Sequence, residues 1–347
     1  MTGTGAQVRG IAHVELATAD PDAAIDYFAD GMGFTTEPMI GSAPDRRCVL
    51  LRQGGIRLVV SSPTTVTGEI AEYVDRHGDG VADIAFSVDD AGRAYAAALA
   101  RGASPVREPA RRPATGGGVT TTATVRGTGD LLHTFVSGGA APTNSGALLQ
   151  LVDHAAICLP AGTLKQTVDF YRTVFGLHSI FTERIEVGEQ AMNSEVVQND
   201  TGEVTFTLIE PDTSAKPGQI DAFLAGHGGA GVQHLAFLTD DIGDAVRALR
   251  ERSVRFLDAP RHYYAALSGR LPEFAAEVHR LQELDVLVDR DHWGHLLQIF
   301  TKSVHPAGTL FFELIERRAA RTFGSGNIRA LYEAVEQELL TSAADRR

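Results

Sequence analysis

The sequence predicts an α+β protein built from four βαβββ units in two domains, and three observations carry that prediction. Short strand-like runs alternate with amphipathic helical stretches that end in glycine. The whole pattern begins a second time past the middle of the chain. A run rich in Gly, Ala, Pro and Ser separates the two copies, as a linker would.

Residues 1–9 are small and polar and are expected to be disordered. From Ile11, IAHVELATADPDAAIDYFADGMGF gives a strand, an Asp20-Pro21 helix start, an amphipathic helix and a glycine stop. RRCVLLRQG and GIRLVVSS follow as strands on either side of Gly54-Gly55. A helical stretch covers Ile70 to His77. GDGVADIAFSVDDAGRAYAAALARGA then opens a second strand-plus-helix unit, which closes with strands near Val119 to Val125 and Leu131 to Val136. Arg107, Arg111 and Arg112 read as a small basic cluster in a loop. The first domain therefore covers 10–138, the linker 139–150 and the second domain 151–347. In the second domain, VDHAAICLPAGTLKQTVDFYRTVFGL repeats the opening unit and pairs His154 with His13. GAGVQHLAFLTDDIGDAVRALRERSV repeats the next unit and sets His234 where the first copy has Asp83.

Composition narrows the function. With 347 residues and 44% hydrophobic content the chain has core material for two domains. A formal net charge of −13 without a concentrated basic face argues against nucleic acid or an anionic membrane as partner. No apolar run approaches 20 residues and no signal peptide is suggested, so a cytoplasmic protein is expected. Cys48 and Cys158 are the two cysteines, and Cys158 reads as a small buried hydrophobe.

Three stretches carry the chemistry. GVQHLAF, VDHAAICL and TLFFELIER each embed one metal-ligand type, His234, His154 and Glu313, in apolar strand sequence. Burying an unpaired polar group costs roughly 2–7 kcal/mol, so three such residues need a common partner, and a divalent metal would supply it. Two imidazoles and one carboxylate with open positions form the facial triad of non-haem Fe(II) oxygenases. In the first copy Asp83 replaces the second histidine, and no strand there matches FFELIER with its glutamate, so the second domain is expected to hold the site. Past that strand, Phe323-Gly324-Ser325-Gly326-Asn327 leads into a helix near 325–342 with Ile328, Leu331, Tyr332 and Val335 on one face. That face is expected to cover the mouth of the second domain as a lid, the alternative being a terminal helix on the outer surface.

The stretches GVQHLAF, LLQIFT, LFFELIER and FGSGNIRALYEA resemble signatures of the 4-hydroxyphenylpyruvate dioxygenase family, and the similarity covers nearly the whole chain. The resemblance implies the vicinal oxygen chelate fold, with the four units paired into two open barrels. It implies Fe(II) held by His154, His234 and Glu313, and 4-hydroxyphenylpyruvate and O2 as substrates. It further implies that Gln298, Ser194 and Thr207 are polar groups around the substrate and that Asn327 and the lid helix close the pocket. Ile209, Phe312, Phe323, Ile328 and Tyr332 would be its apolar wall.

Members of the family form either homogentisate or 4-hydroxymandelate from that keto acid. The homogentisate-forming members usually carry asparagine at the position of Ile209 and phenylalanine at that of Ile328, so both residues favour 4-hydroxymandelate here. By analogy such an enzyme would serve antibiotic biosynthesis. A metal-free ligand-binding protein is the alternative from another class, and the intact ligand trio argues against it. The sequence is compatible with a homo-oligomer.

Overall fold

The computed structural model describes residues 7–39, 43–113, 118–138, 146–324 and 326–332. The first sheet contains β1 (Gly10–Ala17), β2 (Thr35–Pro38), β3 (Arg46–Gln53), β4 (Ile56–Pro63), β5 (Gly80–Ser87), β6 (Pro105–Pro113), β7 (Val119–Arg126) and β8 (Leu132–Ser137). The second contains β9 (Val152–Cys158), β10 (His178–Val187), β11 (Gln190–Gln198), β12 (Thr205–Pro211), β13 (Gly231–Leu238), β14 (Leu287–Arg290), β15 (His295–Phe300) and β16 (Phe311–Arg318).

The strand orders are β2-β3-β4-β1-β5-β8-β7-β6 and β10-β11-β12-β9-β13-β16-β15-β14, so every strand of the second sheet takes the place of the strand eight before it. In each sheet two βαβββ units meet at an antiparallel central pair, β1 with β5 and β9 with β13, flanked by parallel partners. This is the arrangement of four βαβββ units that the repeats predict, and the vicinal oxygen chelate fold that the resemblance implies.

Local chemistry explains the helices. The Asp20 carboxylate accepts the Ala23 N–H at the start of Pro21–Asp26, which continues into a π turn over Tyr27–Gly31. The helix Leu164–Phe175 stops at Gly176, whose φ of 73° is the left-handed conformation that glycine adopts without strain. These helices pack into one core shared by the two halves. Phe28 of the first meets Phe312 of the second edge to face at 5.2 Å, and Phe86 lies against Phe206 at 6.1 Å. Among the described residues no helix is long and apolar enough to cross a membrane.

Four expectations need correction or completion. The Arg107, Arg111 and Arg112 segment is strand β6, not a loop; it lies at the sheet edge, where Pro105, Pro109 and Pro113 cost no ladder hydrogen bonds on the open side. The strand that takes the place of FFELIER in the first sheet is β8, which pairs with β5 in parallel as β16 does with β13 and, as expected, carries no glutamate. Between β13 and β14 the chain inserts short helices at Arg261–Arg270 and Val278–Glu283, which the sequence reading passed over. Of the C-terminal helix, residues 326–332 are helical. Val335, residues 1–6, residues 139–145 of the linker and the remainder of the helix lie outside the described residues.

Candidate metal centre

Three neighbouring strands build the site. In the register of β9, β13 and β16, Ala236 stands opposite His154 on one side and Glu313 on the other. His234 lies two residues earlier on β13, hence on the same inward face. The small Ala236 in the middle of the row leaves room for the flanking side chains to converge. The Glu313 Oε2 lies 3.5 Å from the Nε2 of His154 and 3.5 Å from that of His234. All three ligand-type atoms fall within 4.8 Å of one another, and all three residues are buried.

The other ring nitrogens are already engaged. His154 Nδ1 faces Asp153 Oδ1 at 2.8 Å, and His234 Nδ1 faces Gln233 Oε1 at 3.2 Å, so each ring donates outward and turns its Nε2 lone pair inward. Asp153 is in turn clamped by Arg317, whose Nε and Nη2 both donate at 2.7 Å. Burial pushes the Asp153 pKa up, but Arg317 and then His154 outweigh it and hold this carboxyl well below the usual carboxylate range. A carboxylate, two imidazoles with free Nε2 atoms and fixed tautomers form the donor set that a divalent transition metal accepts, so the residues present fit such an ion.

A cavity of about 50 Å³ opens beside the three ligands. Gln298, Ser194, Thr207, Ile209, Phe323, Ile328 and Tyr332 line it, together with Gln233, Phe300, Ile185, Met192 and Leu331. The rings of Phe323 and His154 meet nearly perpendicular with centroids 4.6 Å apart, and Arg317 lies over the Phe323 ring, 5.1 Å from its centroid. The C-terminal helix covers the cavity, so the placement on the outer surface is set aside. Its Tyr332 hydroxyl reaches the Met192 sulfur at 2.9 Å, and its Tyr332 carbonyl accepts from Gln219 Nε2 at 2.7 Å. At the hinge Gly324 has φ 64°, and a Cβ there would stand 2.9 Å from that of Asp289, so glycine is required on both counts.

Two expected pocket residues lie elsewhere. Phe312 is not in the cavity: as the neighbour of Glu313 on a strand it points to the opposite face, where it stacks on Phe237 at 5.7 Å inside the shared core. Asn327 is fully buried behind Gln298, to which it donates at 2.8 Å, and does not line the cavity. The sequence reading missed Gln233, Met192, Asp153 and Arg317. Gln233 and Asp153 each directly precede a ligand histidine, which was the available signal; nothing in the sequence ties Arg317 to Asp153.

The first sheet keeps the same register with different residues. Thr134 takes the position of Glu313, and its N–H and hydroxyl both bind the Asp83 carboxylate, the former at 3.0 Å. Burial first, and then Glu15, raise the Asp83 pKa to about 7. Arg107 approaches Asp83 at 3.7 Å and Arg46 binds Glu69 at 3.2 Å, so carboxylates in this half are met by guanidinium groups instead of a metal. A larger cavity of about 330 Å³ lies here, lined among others by Glu15, Glu69, Tyr73, Arg76, His77 and Asp130, without a comparable donor trio among the described residues.

Comparison with known proteins agrees with this architecture. Residues 4–138 match the model for the hydroxyphenylpyruvate dioxygenase N-terminal region, and residues 151–299 match that of the glyoxalase, bleomycin resistance protein and dioxygenase superfamily. The chain is 32% identical to 4-hydroxyphenylpyruvate dioxygenase of Dictyostelium discoideum, over 95% of this chain and 98% of that protein. It is 33% identical to the enzyme of the same name from Danio rerio, over 94% and 89%. A solved triple mutant of 4-hydroxymandelate synthase from Streptomyces coelicolor superposes with a TM-score of 0.88 and 44% identity, covering 96% of this chain and 99% of that one. With matched regions in both halves and a buried trio of metal-ligand type in the second, the chain belongs to the 4-hydroxyphenylpyruvate dioxygenase family.

Proposed function

We propose that this chain is a 4-hydroxymandelate synthase that holds Fe(II) through His154, His234 and Glu313. It converts 4-hydroxyphenylpyruvate and O2 to 4-hydroxymandelate and CO2, a balanced reaction in which the keto acid itself supplies the reducing electrons. Bound at this site, Fe(II) would activate O2 and hold the α-keto acid. The protein's part is placement. Asp153 and Gln233 fix the imidazoles, and Gln298 uses one N–H on Glu313 Oε1 at 2.8 Å and has a second for the substrate end of the cavity. The Thr207 hydroxyl, buried with no hydrogen-bond partner among the described residues, is free to bond a ligand. The lid helix excludes water.

The observation that carries the choice of product is the pair Ile209 and Ile328, which meet in one apolar cluster at the wall of the cavity. Neither side chain offers a polar group to an aromatic ring that develops charge, which disfavours attack on the ring and favours the competing benzylic carbon. The 44% identity to the Streptomyces coelicolor synthase supports the same reading. The relatives named 4-hydroxyphenylpyruvate dioxygenase, at 32–33% identity, favour the second reading, homogentisate formation. Chromatography of the product from 4-hydroxyphenylpyruvate, Fe(II) and O2 tests the choice. 4-Hydroxymandelate is expected, and homogentisate as the main product would establish the second reading.

A further inference from the structure

A chain of hydrogen bonds runs from the inserted helix Arg261–Arg270 to the candidate metal ligand Glu313. Arg270 Nη2 donates to the Tyr263 hydroxyl at 2.9 Å, and the hydroxyl donates to Asn327 Oδ1 at 2.8 Å. Asn327 Nδ2 donates to Gln298 Oε1 at 2.8 Å, and Gln298 Nε2 donates to Glu313 Oε1 at 2.8 Å. The four inner members are buried, from Asn327 at 0% exposure to Tyr263 at 8%.

The direction of every bond is fixed from both ends. A guanidinium has only donors and a carboxylate only acceptors, so Gln298 must turn its NH2 to Glu313 and its carbonyl to Asn327. Asn327 then presents its carbonyl to Tyr263. At that end the tyrosine's one proton is claimed by two acceptors, Asn327 Oδ1 and the Val288 carbonyl, the latter at 2.6 Å. Arg270 Nη2 already serves the Val288 carbonyl at 2.7 Å, so the hydroxyl proton goes to Asn327. The Tyr263 oxygen accepts from Arg270 and from the Val288 N–H at 2.6 Å, which uses its two lone pairs and leaves no acceptor for a reversed Asn327. Charge-assisted ends strengthen such a series cooperatively.

We propose that Tyr263, with Arg270, is a positioning residue that acts through Asn327 and Gln298 to hold Glu313 as a one-oxygen ligand, and that docking of the lid completes this hold. The proposal rests on the metal-centre reading above. Oε1 is occupied by Gln298, whereas Oε2 is the oxygen that faces both histidines, so the carboxylate offers one atom and leaves the other coordination positions open. Asn327 belongs to the first turn of the lid helix, with its N–H on the Gly324 carbonyl at 3.0 Å, and the preceding N–H, that of Gly326, is capped by Asp289 Oδ2 at 2.7 Å. Lifting the lid removes Asn327 from Gln298 and frees Glu313 to turn. Lid closure and ligand geometry are therefore one event.

The test uses full-length protein stripped of metal and titrated with Co(II) alone, whose absorption spectrum reports coordination number, alongside turnover of the Fe(II) form. Tyr263→Phe keeps the ring and loses the hydroxyl. Its Co(II) affinity should fall about tenfold with an altered spectrum, the low end of the 10–100-fold range for groups that orient ligands, and kcat should fall more than KM rises. Tyr264→Phe is the control, since its hydroxyl anchors the same helix to the Val286 carbonyl at 3.1 Å without joining the chain. Equal effects of the two variants, or an unchanged spectrum in Tyr263→Phe, would overturn the proposal. Should Tyr263→Phe not fold, Asn327→Asp puts an acceptor against the Gln298 carbonyl at nearly constant shape; wild-type Co(II) affinity in that variant would equally overturn it. Wild-type protein that takes up no Co(II) would overturn the metal centre itself, so the two failures are distinct.

Discussion

His77 and His227, the last residues of corresponding helices in the two halves, stack across the boundary between those halves with ring centroids 4.4 Å apart and planes 19° from parallel. His77 Nδ1 faces the His227 carbonyl at 2.6 Å, and Tyr73 of the first half reaches His227 Nε2 at 3.4 Å. Burial first, and then the neighbouring His77, lower the His227 pKa to about 4.

A base with a depressed folded pKa stabilises above its unfolded pKa and loses that contribution as pH falls toward the folded one. From about 6.5 down to pH 5 the loss at His227 should reach about 2 kcal/mol. Urea unfolding at pH 7.5 and pH 5 checks this, with His227→Gln losing that share of the pH dependence. Identical pH dependence in the two proteins would contradict it.

Removing a ligand should remove the metal. His154→Ala, His234→Ala and Glu313→Ala should each bring turnover to background and weaken metal binding by roughly 100-fold or more. His13→Ala, at the equivalent place in the first half, should change neither. Metal analysis after gel filtration reads the result, and an iron-replete, active His234→Ala protein would end the facial-triad reading.

Arg317→Met keeps the length of the side chain but strands the Asp153 carboxylate, which is only 10% exposed at its side chain. Breaking a buried pair from one side costs about 3–5 kcal/mol. Thermal and urea unfolding should show that loss at pH 7, and metal affinity should drop as well because His154 loses its fixed partner. Stability within 1 kcal/mol of wild type, on the order of a surface substitution, would mean that Asp153 finds another donor.

Ile209 and Ile328 are expected to set the product. Ile209→Asn adds a donor and Ile328→Phe a rigid ring, so the double variant should shift product from 4-hydroxymandelate toward homogentisate and related ring-oxidised compounds. Conversion should be partial, since overpacking alone costs roughly 1–3 kcal/mol. Chromatographic ratios unchanged from wild type would place the control of regiochemistry elsewhere.

How far the sequence reaches can be followed residue by residue. His154, His234 and Glu313 were legible because strand periodicity is two: each is a polar residue inside an apolar run, and the sheet brings such residues to one face. The same rule, applied to Phe312, would have excluded it, since the neighbour of an inward residue points outward. Thr134 escaped notice because threonine on a strand carries no ligand signal. The relay members Tyr263 and Arg270 lie in an inserted helix whose buried positions are Tyr263, Tyr264 and Leu267, and their link to Asn327 is a contact between distant segments that no local pattern encodes.

The shared register of the two sheets has one more consequence, for anyone who would redesign the first barrel. His13, Asp83 and Thr134 already occupy the backbone stations of a donor trio, so geometry would admit a second ion after Asp83→His and Thr134→Glu. Electrostatics would divide over it. Arg107 sits beside position 83, and Arg57 after burial helps lower the His13 pKa to about 4, so a dication placed there would meet two guanidinium charges, whereas Glu15, which stands opposite Asp83 and raises its pKa more than Arg107 lowers it, would pull the other way. The two frames match station for station, and the charges around them do not.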